Sequence, residues 1–150
     1  MESKEQSKAE VQIESCRPAE HRYQDERGWV LFPWKGKEPS IDPATLHIVY
    51  ILPGATRGNH YHPRAAEWIC PIEGEGVLKW RLPGGGAVRE LHLEAQRICV
   101  KIPPGVRHAV TNIGAGGLLI LIAREKDQEG DPTVPEKIEQ EDRSNESDRF

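Results

Sequence analysis

Short strand-like segments separated by Gly and Pro turns run through the middle of this 150-residue chain. In VLKWRL, Leu78 and Trp80 alternate with charged neighbours, and RICVKI alternates in the same way. Alternation with a period of two is typical of a strand with one buried face. The segment 118–123, LLILIA, is apolar at every position, which predicts a strand covered on both sides. These segments, spaced about ten residues apart, predict an all-β antiparallel sandwich or barrel over residues 28–123.

The stretch 54–74 carries the residues best suited to bind a metal ion. His60 and His62 are two positions apart, and Glu67 follows five residues later. Alternate side chains of a strand share a face about 6.6 Å apart, so the two imidazoles can converge on one ion. Glu67 can join them if the chain turns after Pro63 and EWICPI runs back beside that strand. Imidazole and carboxylate are ligands of first-row divalent metals.

A third histidine, His108, follows a Pro-Gly turn in the segment PPGVRHAVTN. With the two earlier histidines and the glutamate it makes a site of three nitrogens and one oxygen. Such a set leaves positions open for water or a ligand. His92, by contrast, alternates with inward Leu91 and Leu93, so we expect it on the surface.

The two stretches resemble the two motifs of the cupin superfamily. The matching positions are Gly54, His60, His62, Glu67 and Gly74 in the first motif, and Pro103, Gly105, His108 and Asn112 in the second. Arg97 departs from the pattern, since cupins usually have Gly at that place. The resemblance implies a cupin-type antiparallel β-barrel, a double-stranded β-helix or jelly roll. It also implies one divalent transition metal, Fe, Mn, Ni, Co or Zn, held by His60, His62, Glu67 and His108.

Two shorter phrases are similar to those of cupins that act on nucleotide-linked sugars. They are DERG at 25–28 and RGNH at 57–60, and the latter continues as in the C-terminal cupin domain of capsular polysaccharide reductases. Deoxysugar epimerases and ketoisomerases share the same phrases. The resemblance implies an anionic small-molecule ligand. The candidate substrate-binding residues are Arg27, Arg57, Trp80 and Asn112.

Three functions are compatible with these residues. The first is proton transfer next to the carbonyl of a sugar or nucleotide-linked sugar, as in an isomerase, epimerase or dehydratase, with Tyr50, Tyr61 and His47 as candidate acid/base groups. The second is a non-haem iron dioxygenase acting on a small organic acid, which the same ligand set serves. The third is a metal- and ligand-binding barrel without turnover.

Charge and composition restrict the partners. Residues 28–123 carry ten basic and seven acidic side chains, whereas both ends are acidic. This balance favours an anionic ligand, and without a basic run we expect no nucleic acid partner. No apolar run is long enough to cross a membrane. We expect three segments: a polar tail at 1–24, the barrel at 25–124, and a charged tail at 125–150.

The cysteines and the apolar surfaces complete the predictions. Three cysteines cannot all pair within one chain, and Cys70 and Cys99 lie in strand patterns, so we expect structural thiols in a reduced, cytoplasmic protein. No secretory signal is visible at the N-terminus. A barrel of this kind pairs through exposed edges. We therefore expect a homodimer, with Trp68 and the strand at 118–123 as contact surfaces.

Overall fold

The structure is a computed structural model that describes residues 13–37, 39–127, 129–130 and 132–138. Short antiparallel strands dominate it, and two 3₁₀ turns lie at Pro18–His21 and Pro43–Thr45. The strands are β1 (Glu14–Cys16), β2 (Arg22–Asp25), β3 (Gly28–Leu31), β4 (His47–Ile51), β5 (Thr56–Tyr61), β6 (Glu67–Glu73), β7 (Glu75–Arg81), β8 (Arg89–Glu94), β9 (Cys99–Ile102), β10 (Arg107–Asn112), β11 (Leu118–Arg124) and β12 (Val134–Pro135).

Two five-stranded sheets form the body of the molecule. The first sheet has the order β1-β9-β6-β11-β4, and the second has the order β12-β5-β10-β7-β8. Every strand pair in both sheets is antiparallel. The predicted all-β cupin-type barrel is confirmed. No helix in the described part of the chain is long and apolar enough to cross a membrane.

The main apolar core lies between the two sheets. Leu78 and Trp80 on β7 and Leu93 on β8 face inward, as their alternation predicts. From the first sheet, Ile69 and Ile122 face them and are fully buried. Burial of such side chains contributes about 25 cal/mol for each Å² of apolar surface removed from water, so this interface is the main source of stability.

A second apolar cluster covers the outer face of the first sheet. Its buried members are Trp68, Cys70 and Cys99, against which Trp34 and Leu121 pack. Trp34 follows β3 and meets Trp68 edge to face, with ring centroids 6.4 Å apart. We call this the outer cluster. It explains why the segment 118–123 is apolar at every position: one set of its side chains enters the core, and Leu121 from the other set packs in the outer cluster.

Cys70 and Cys99 form a disulfide, with Cα atoms 4.4 Å apart. The prediction of two structural thiols is therefore wrong for this structure. Strands β6 and β9 pair with Ile69 opposite Val100, and continuing that register places the two cysteines opposite one another. The sequence alone did not show that these strands are neighbours.

Both ends of the chain add strands to the sheets. β1 pairs with β9 and β12 pairs with β5, although both lie outside the predicted barrel at 25–124. Single apolar residues attach them: Ile13 packs against the main core, and Ile138 is buried. Isolated residues like these give no periodic signal in a polar segment. Of the two predicted tails, residues 1–12 and 139–150 lie outside the described residues.

The predicted strand near Gly28 forms, but it does not belong to either large sheet. Within the described part of the chain, β3 pairs only with β2, in a two-stranded hairpin. Aromatic side chains at Tyr23, Trp29 and Phe32 remain exposed on this hairpin. The sequence GWVLFPW has strong strand propensity, but propensity does not specify which sheet a strand joins.

Candidate metal and ligand centre

Four potential ligands meet inside the barrel. Each of these residues offers one ligand atom, and the four atoms all lie within 4.8 Å of one another: the residues are His60, His62, Glu67 and His108. All four side chains are at most 5% exposed. The ring centroid of His60 lies 4.9 Å from that of His62 and 4.8 Å from that of His108. The structure brings together the four residues named from the sequence.

The backbone explains how the histidines converge. His60 ends the inward row of β5 and His62 follows directly after the strand, so both point the same way, as period two predicts. His108 lies opposite His60 across the β5–β10 pair. The turn before His108 is fixed to the first stretch, because the N–H of Gly105 donates to the carbonyl of His62 at 2.8 Å. Gly105 has φ of +80°, which suits glycine.

Glu67 reaches the histidines by a different route from the predicted one. The chain does turn after His62, but β6 does not run beside β5. It belongs to the first sheet, whereas β5 belongs to the second. Glu67 therefore faces the histidines across the barrel interior. Crossing between sheets is typical of a jelly roll, and spacing along the chain cannot distinguish it from a hairpin.

Glu67 binds two of the histidines. Its Oε2 lies 2.8 Å from Nε2 of His62, and its Oε1 lies 3.0 Å from Nε2 of His108. Burial on its own would raise the pKa of Glu67, but the hydrogen bonds and charges of His108 and His62 outweigh it and hold the pKa below its usual range. The carboxylate is therefore the resting form.

The tautomer of His108 provides a test of whether a cation fits. Its Nδ1 lies 3.0 Å from the carbonyl of Val106, and a carbonyl only accepts, so Nδ1 carries the hydrogen. In the neutral ring, Nε2 then has a lone pair directed at the Glu67 carboxylate. Two lone pairs 3.0 Å apart repel unless a cation lies between them. A proton or a metal ion meets that requirement, so the donor set fits a metal.

His62 has the opposite arrangement. Its Nδ1 lies 3.0 Å from Nη1 of Arg124, and a guanidinium only donates. Nδ1 therefore accepts, and the neutral ring carries its hydrogen on Nε2, facing Glu67. A metal bound through Nε2 needs the other tautomer, so Arg124 must withdraw from Nδ1 when an ion binds. Arg124 was not among the site residues predicted from the sequence. Its signal was its position: it continues the inward row of Ile120 and Ile122, and a charged residue in such a row is unusual.

Two more of the predicted residues face the barrel interior. Arg57 lies opposite core residue Val110, and paired residues of antiparallel strands share a face. The pairing register shifts between His108 and Ala109, a β-bulge that lets Arg57 share this face with His60 three positions later. No carboxylate within the described ranges forms an ion pair with Arg57. His47 lies opposite core residue Ile122. Its Nδ1 is 2.6 Å from the carbonyl of Thr45.

That contact sets the tautomer of His47. Because the carbonyl only accepts, Nδ1 carries the hydrogen and Nε2 keeps its lone pair. Nε2 is buried and has no hydrogen-bond partner among the described residues. His47 is separated from Glu67 by strand β11 and by two positions along it, about 12 Å between backbone positions. His47 is thus an inward base on the same sheet face as Glu67.

Trp80 also lies beside the cluster. It is opposite His108 across the β7–β10 pair, so its ring is on the same face as that ligand. It is 8% exposed and belongs to the main core. It forms a wall next to His108.

Three predicted site residues are directed elsewhere. Tyr50 is 58% exposed on the outer face of β4. Tyr61 faces outward from β5, with the Arg107 guanidinium 3.9 Å from its ring centroid. Arg27 is exposed on the β2–β3 hairpin and forms an ion pair with Asp25. Period two along the strand explains the two tyrosines, because each follows or precedes an inward residue.

Asn112 is inward but fully occupied by structural hydrogen bonds. Its Nδ2 donates to the carbonyls of Ile51 at 2.9 Å and Gly116 at 2.8 Å, and its Oδ1 accepts from the N–H of Gly114 at 2.9 Å. It also lies four residues from His108, or about 13 Å along the strand. It anchors the loop after β10 rather than reaching the cluster.

A family profile, described as the polysaccharide biosynthesis C-terminal domain, matches residues 23–132. The chain has no significant match among curated protein sequences.

Solved structures share the fold at low sequence identity. The capsular polysaccharide assembling protein CapF from Staphylococcus aureus is 21% identical with a TM-score of 0.58, over 78% of this chain and 32% of CapF. An epimerase, RmlC from Legionella pneumophila in complex with dTDP-4-keto-L-rhamnose, is 15% identical with a TM-score of 0.61, over 79% of this chain and 70% of that one. A 3,4-ketoisomerase from Helicobacter canadensis is 17% identical with a TM-score of 0.61, over 80% and 89%. The chain therefore spans about a third of the length of CapF.

Proposed function

Because the chain belongs to the polysaccharide biosynthesis C-terminal domain family, we propose that its barrel acts on a sugar or a nucleotide-linked sugar. The reaction is a proton transfer next to a carbonyl, of the isomerase, epimerase or dehydratase type. The observation that carries the proposal is the inward pair His47 and Arg57, which faces the same interior as the buried four-ligand cluster. Structural relatives include a dTDP-6-deoxy-D-glucose-3,5-epimerase and a 3,4-ketoisomerase.

The cluster would hold one divalent transition metal, with Fe, Mn, Ni, Co and Zn all suited to imidazole and carboxylate ligands. The ligands would be His60, His62, Glu67 and His108, and the contact between Glu67 and His108 already requires a cation. When bound there, such an ion supplies Lewis-acid polarisation of a carbonyl or hydroxyl oxygen. The protein's own contribution is to hold the ligands buried and to keep water away from them.

His47 is the base in this proposal. Its unpartnered Nε2 lone pair is buried and faces the barrel interior, and its Nδ1–H is held by the Thr45 carbonyl. A base fixed in one tautomer accepts a proton without first rearranging. Tyr50 and Tyr61, the other candidate acid/base groups, are set aside because both face away from the interior.

Arg57 is the anion-binding residue in this proposal. A planar guanidinium donates two parallel hydrogen bonds to a phosphate, and Arg57 has no competing carboxylate among the described residues. Arg27 is set aside, because it is exposed and paired with Asp25. The ligand is therefore a small anionic molecule, such as a sugar joined to a nucleoside diphosphate.

A homodimer is part of the proposal, but on a different surface from the predicted one. Trp68 is 3% exposed within the outer cluster, so it is not available as a contact. β4 is an edge strand of the first sheet, and Ile48 is 70% exposed on its outer face beside Tyr50. An apolar edge of this kind is suited to pairing with a second copy. Ile48→Lys should convert a dimeric mass in solution to a monomeric one.

Elemental analysis and ligand-induced melting shifts test the proposal together. A nucleotide-linked sugar should raise the melting temperature more than the free sugar does. Arg57→Ala should weaken its affinity about 10- to 100-fold, the value of one charged hydrogen bond, with metal content unchanged. The matched control is Arg97→Ala, which removes an exposed arginine paired with Glu94. If no nucleotide-linked sugar shifts the melting temperature, the proposal fails.

The same ligand set favours a second candidate, a non-haem iron dioxygenase of a small organic acid. Oxygen uptake that depends on iron and a keto acid would establish it in place of the first. A barrel that binds ligand and returns it chemically unchanged would instead be a non-catalytic binding protein.

A further inference from the structure

Three cysteines lie in a row across three neighbouring strands on the outer face of the first sheet. Cys16 on β1 is directly opposite Cys99 on β9, and Cys99 is bonded to Cys70 on β6. Cys16 is a free thiol that packs against the outer cluster. The disulfide therefore has a thiol as its cross-strand neighbour, a feature that the proposed sugar chemistry does not use.

The spacing suits exchange between these sulfurs. Directly opposite residues of an antiparallel pair have Cβ atoms about 4.5–5.5 Å apart, and a disulfide needs about 3.5–4.5 Å. A shift of about 1 Å brings Cys16 into bonding range of Cys99. β1 can make such a shift because it is only three residues long and lies at the edge of its sheet.

Cys16 is also accessible from outside. It lines a surface cleft of about 360 Å³ together with basic side chains at Arg17, Lys35 and Lys37. Its Sγ contacts the carbonyl of Pro33 at 3.5 Å. Burial raises the pKa of the Cys16 thiol, and the charge of Lys37 opposes that effect. Burial therefore favours the thiol over the thiolate at Cys16.

We propose that Cys16 undergoes thiol–disulfide exchange with the Cys70–Cys99 bond. The Cys16 thiolate attacks Sγ of Cys99, the Cys16–Cys99 bond forms as the Cys70–Cys99 bond breaks, and Cys70 leaves as a thiolate. Cys70 then takes up the proton that Cys16 released. One disulfide and one thiol are present before and after, so no oxidant or reductant is consumed.

The exchange moves a covalent tie between strands. In the starting state the tie joins β9 to β6, the strand that presents Glu67 three residues before Cys70. In the exchanged state it joins β9 to β1 and so fastens the N-terminal edge strand to the sheet. The protein thus has two covalent states with the same oxidation level. They differ in whether a disulfide links β6, the strand that carries Glu67, to β9.

Peptide mapping of the full-length chain tests the exchange directly. Lys and Arg residues separate all three cysteines in the sequence, so trypsin places each on its own peptide. The oxidised protein is incubated without oxidant near the ordinary thiol pKa of about 8.5, quenched with acid, alkylated and digested. A Cys16–Cys99 peptide pair should appear within minutes to hours, with one alkylated thiol per chain moving from Cys16 to Cys70.

The proposal is overturned if only the Cys70–Cys99 pair and alkylated Cys16 are found after a day. Mixing isotopically heavy and light chains separates exchange within a chain from exchange between chains. Absence of mixed-isotope Cys16–Cys99 pairs supports the proposal, and mixed pairs in the statistical proportion of the two isotopes overturn it.

Two matched variants make the test independent of the starting bond. In a glutathione redox buffer, Cys70→Ser should form the Cys16–Cys99 bond and Cys16→Ser should form only the Cys70–Cys99 bond. A cooperatively melting Cys70→Ser variant that keeps both thiols reduced would contradict the exchange. If that variant does not fold, the wild-type time course decides the question.

Discussion

Strand β6 has two buried faces with different chemistry. Glu67 and Ile69 point into the barrel, where a charged ligand cluster lies at one end of an apolar core. Trp68 and Cys70 point outward into the outer cluster, which is apolar and contains the disulfide. Burial is equal on the two faces, but only the inner one gathers donors that need a cation. The difference gives the outer face a structural role, and in the proposed function the inner end binds the ligand.

The largest expected effect concerns the outer face. Trp68→Ala should lower the free energy of unfolding by about 3–5 kcal/mol, because it leaves a cavity among Trp34 and the disulfide. Metal bound per folded chain should stay the same. Denaturant unfolding and elemental analysis check the two quantities. Trp29→Ala, at an exposed hairpin position, is the control and should change stability by less than about 0.5 kcal/mol. Metal loss in the Trp68 variant would show that the two faces are coupled.

The inner face should show the reverse pattern. His62→Ala removes one ligand of four, so metal affinity should fall at least about 100-fold, while stability without metal changes little. A competitive titration with a chelator measures the affinity. His92→Ala is the control, because His92 is exposed and paired with Glu75 rather than with the cluster. Equal metal retention in the two variants would remove His62 from the site.

Arg124 provides a sharper test of the inner face. Arg124→Met removes the donor at His62 Nδ1 together with a positive charge near the ion, so metal affinity should rise about tenfold. Arg124→Lys keeps the charge but loses the planar guanidinium group. The metal affinity of this variant should lie between those of the wild type and Arg124→Met. The same chelator titration ranks the three proteins. A drop in affinity for the methionine variant would mean that Arg124 supports the site rather than competing for it.

The smallest expected effect concerns β12, the strand that pairs with β5 opposite His60. Glu136, next to β12, accepts hydrogen bonds from Arg107 and Arg81, and its pKa is lowered by Arg107 first and by Arg81 to a smaller degree. A lowered folded-state pKa contributes stability above the unfolded value of about 4.3, and that stability is lost as pH falls through the folded pKa. Because the pair is partly exposed, the contribution is at most about 1 kcal/mol.

Thermal unfolding of the wild type and Glu136→Gln between neutral and acid pH measures this contribution. The difference in melting temperature should be present at neutral pH and vanish in acid. A difference independent of pH would mean that the carboxylate charge does not hold β12 in place.

Residues close together in the sequence were the most predictable. The alternation in β7, β8 and β9 predicted their inward faces, and the structure confirms them. The phrases around His60 and His108 indicated which ligands meet, because each phrase places its side chains through local strand and turn geometry. Arg57 was identified from the resemblance of RGNH at 57–60 to cupins that act on nucleotide-linked sugars, and His47 from residue type; the structure adds that both face inward.

The features that the sequence did not predict depend on which strands become neighbours. The pairing of Cys70 with Cys99 depends on β6 lying beside β9, and the role of Arg124 depends on β11 lying beside β6. Tyr50 and Tyr61 were suitable by chemistry but lie on the wrong side of their strands. The strand of Tyr50 is apolar on both faces, so alternation could not assign the direction of its side chain.

The sequence by itself determined that this chain folds as a β-barrel with a His, His, Glu, His cluster, since turn residues, strand alternation and ligand spacing are all local. Only the tertiary structure decided that Glu67 reaches the histidines from the opposite sheet, that Arg124 contacts His62, and that three cysteines share one face. Those facts depend on which strands become neighbours, which is set by burial of whole sheet faces rather than by any single segment.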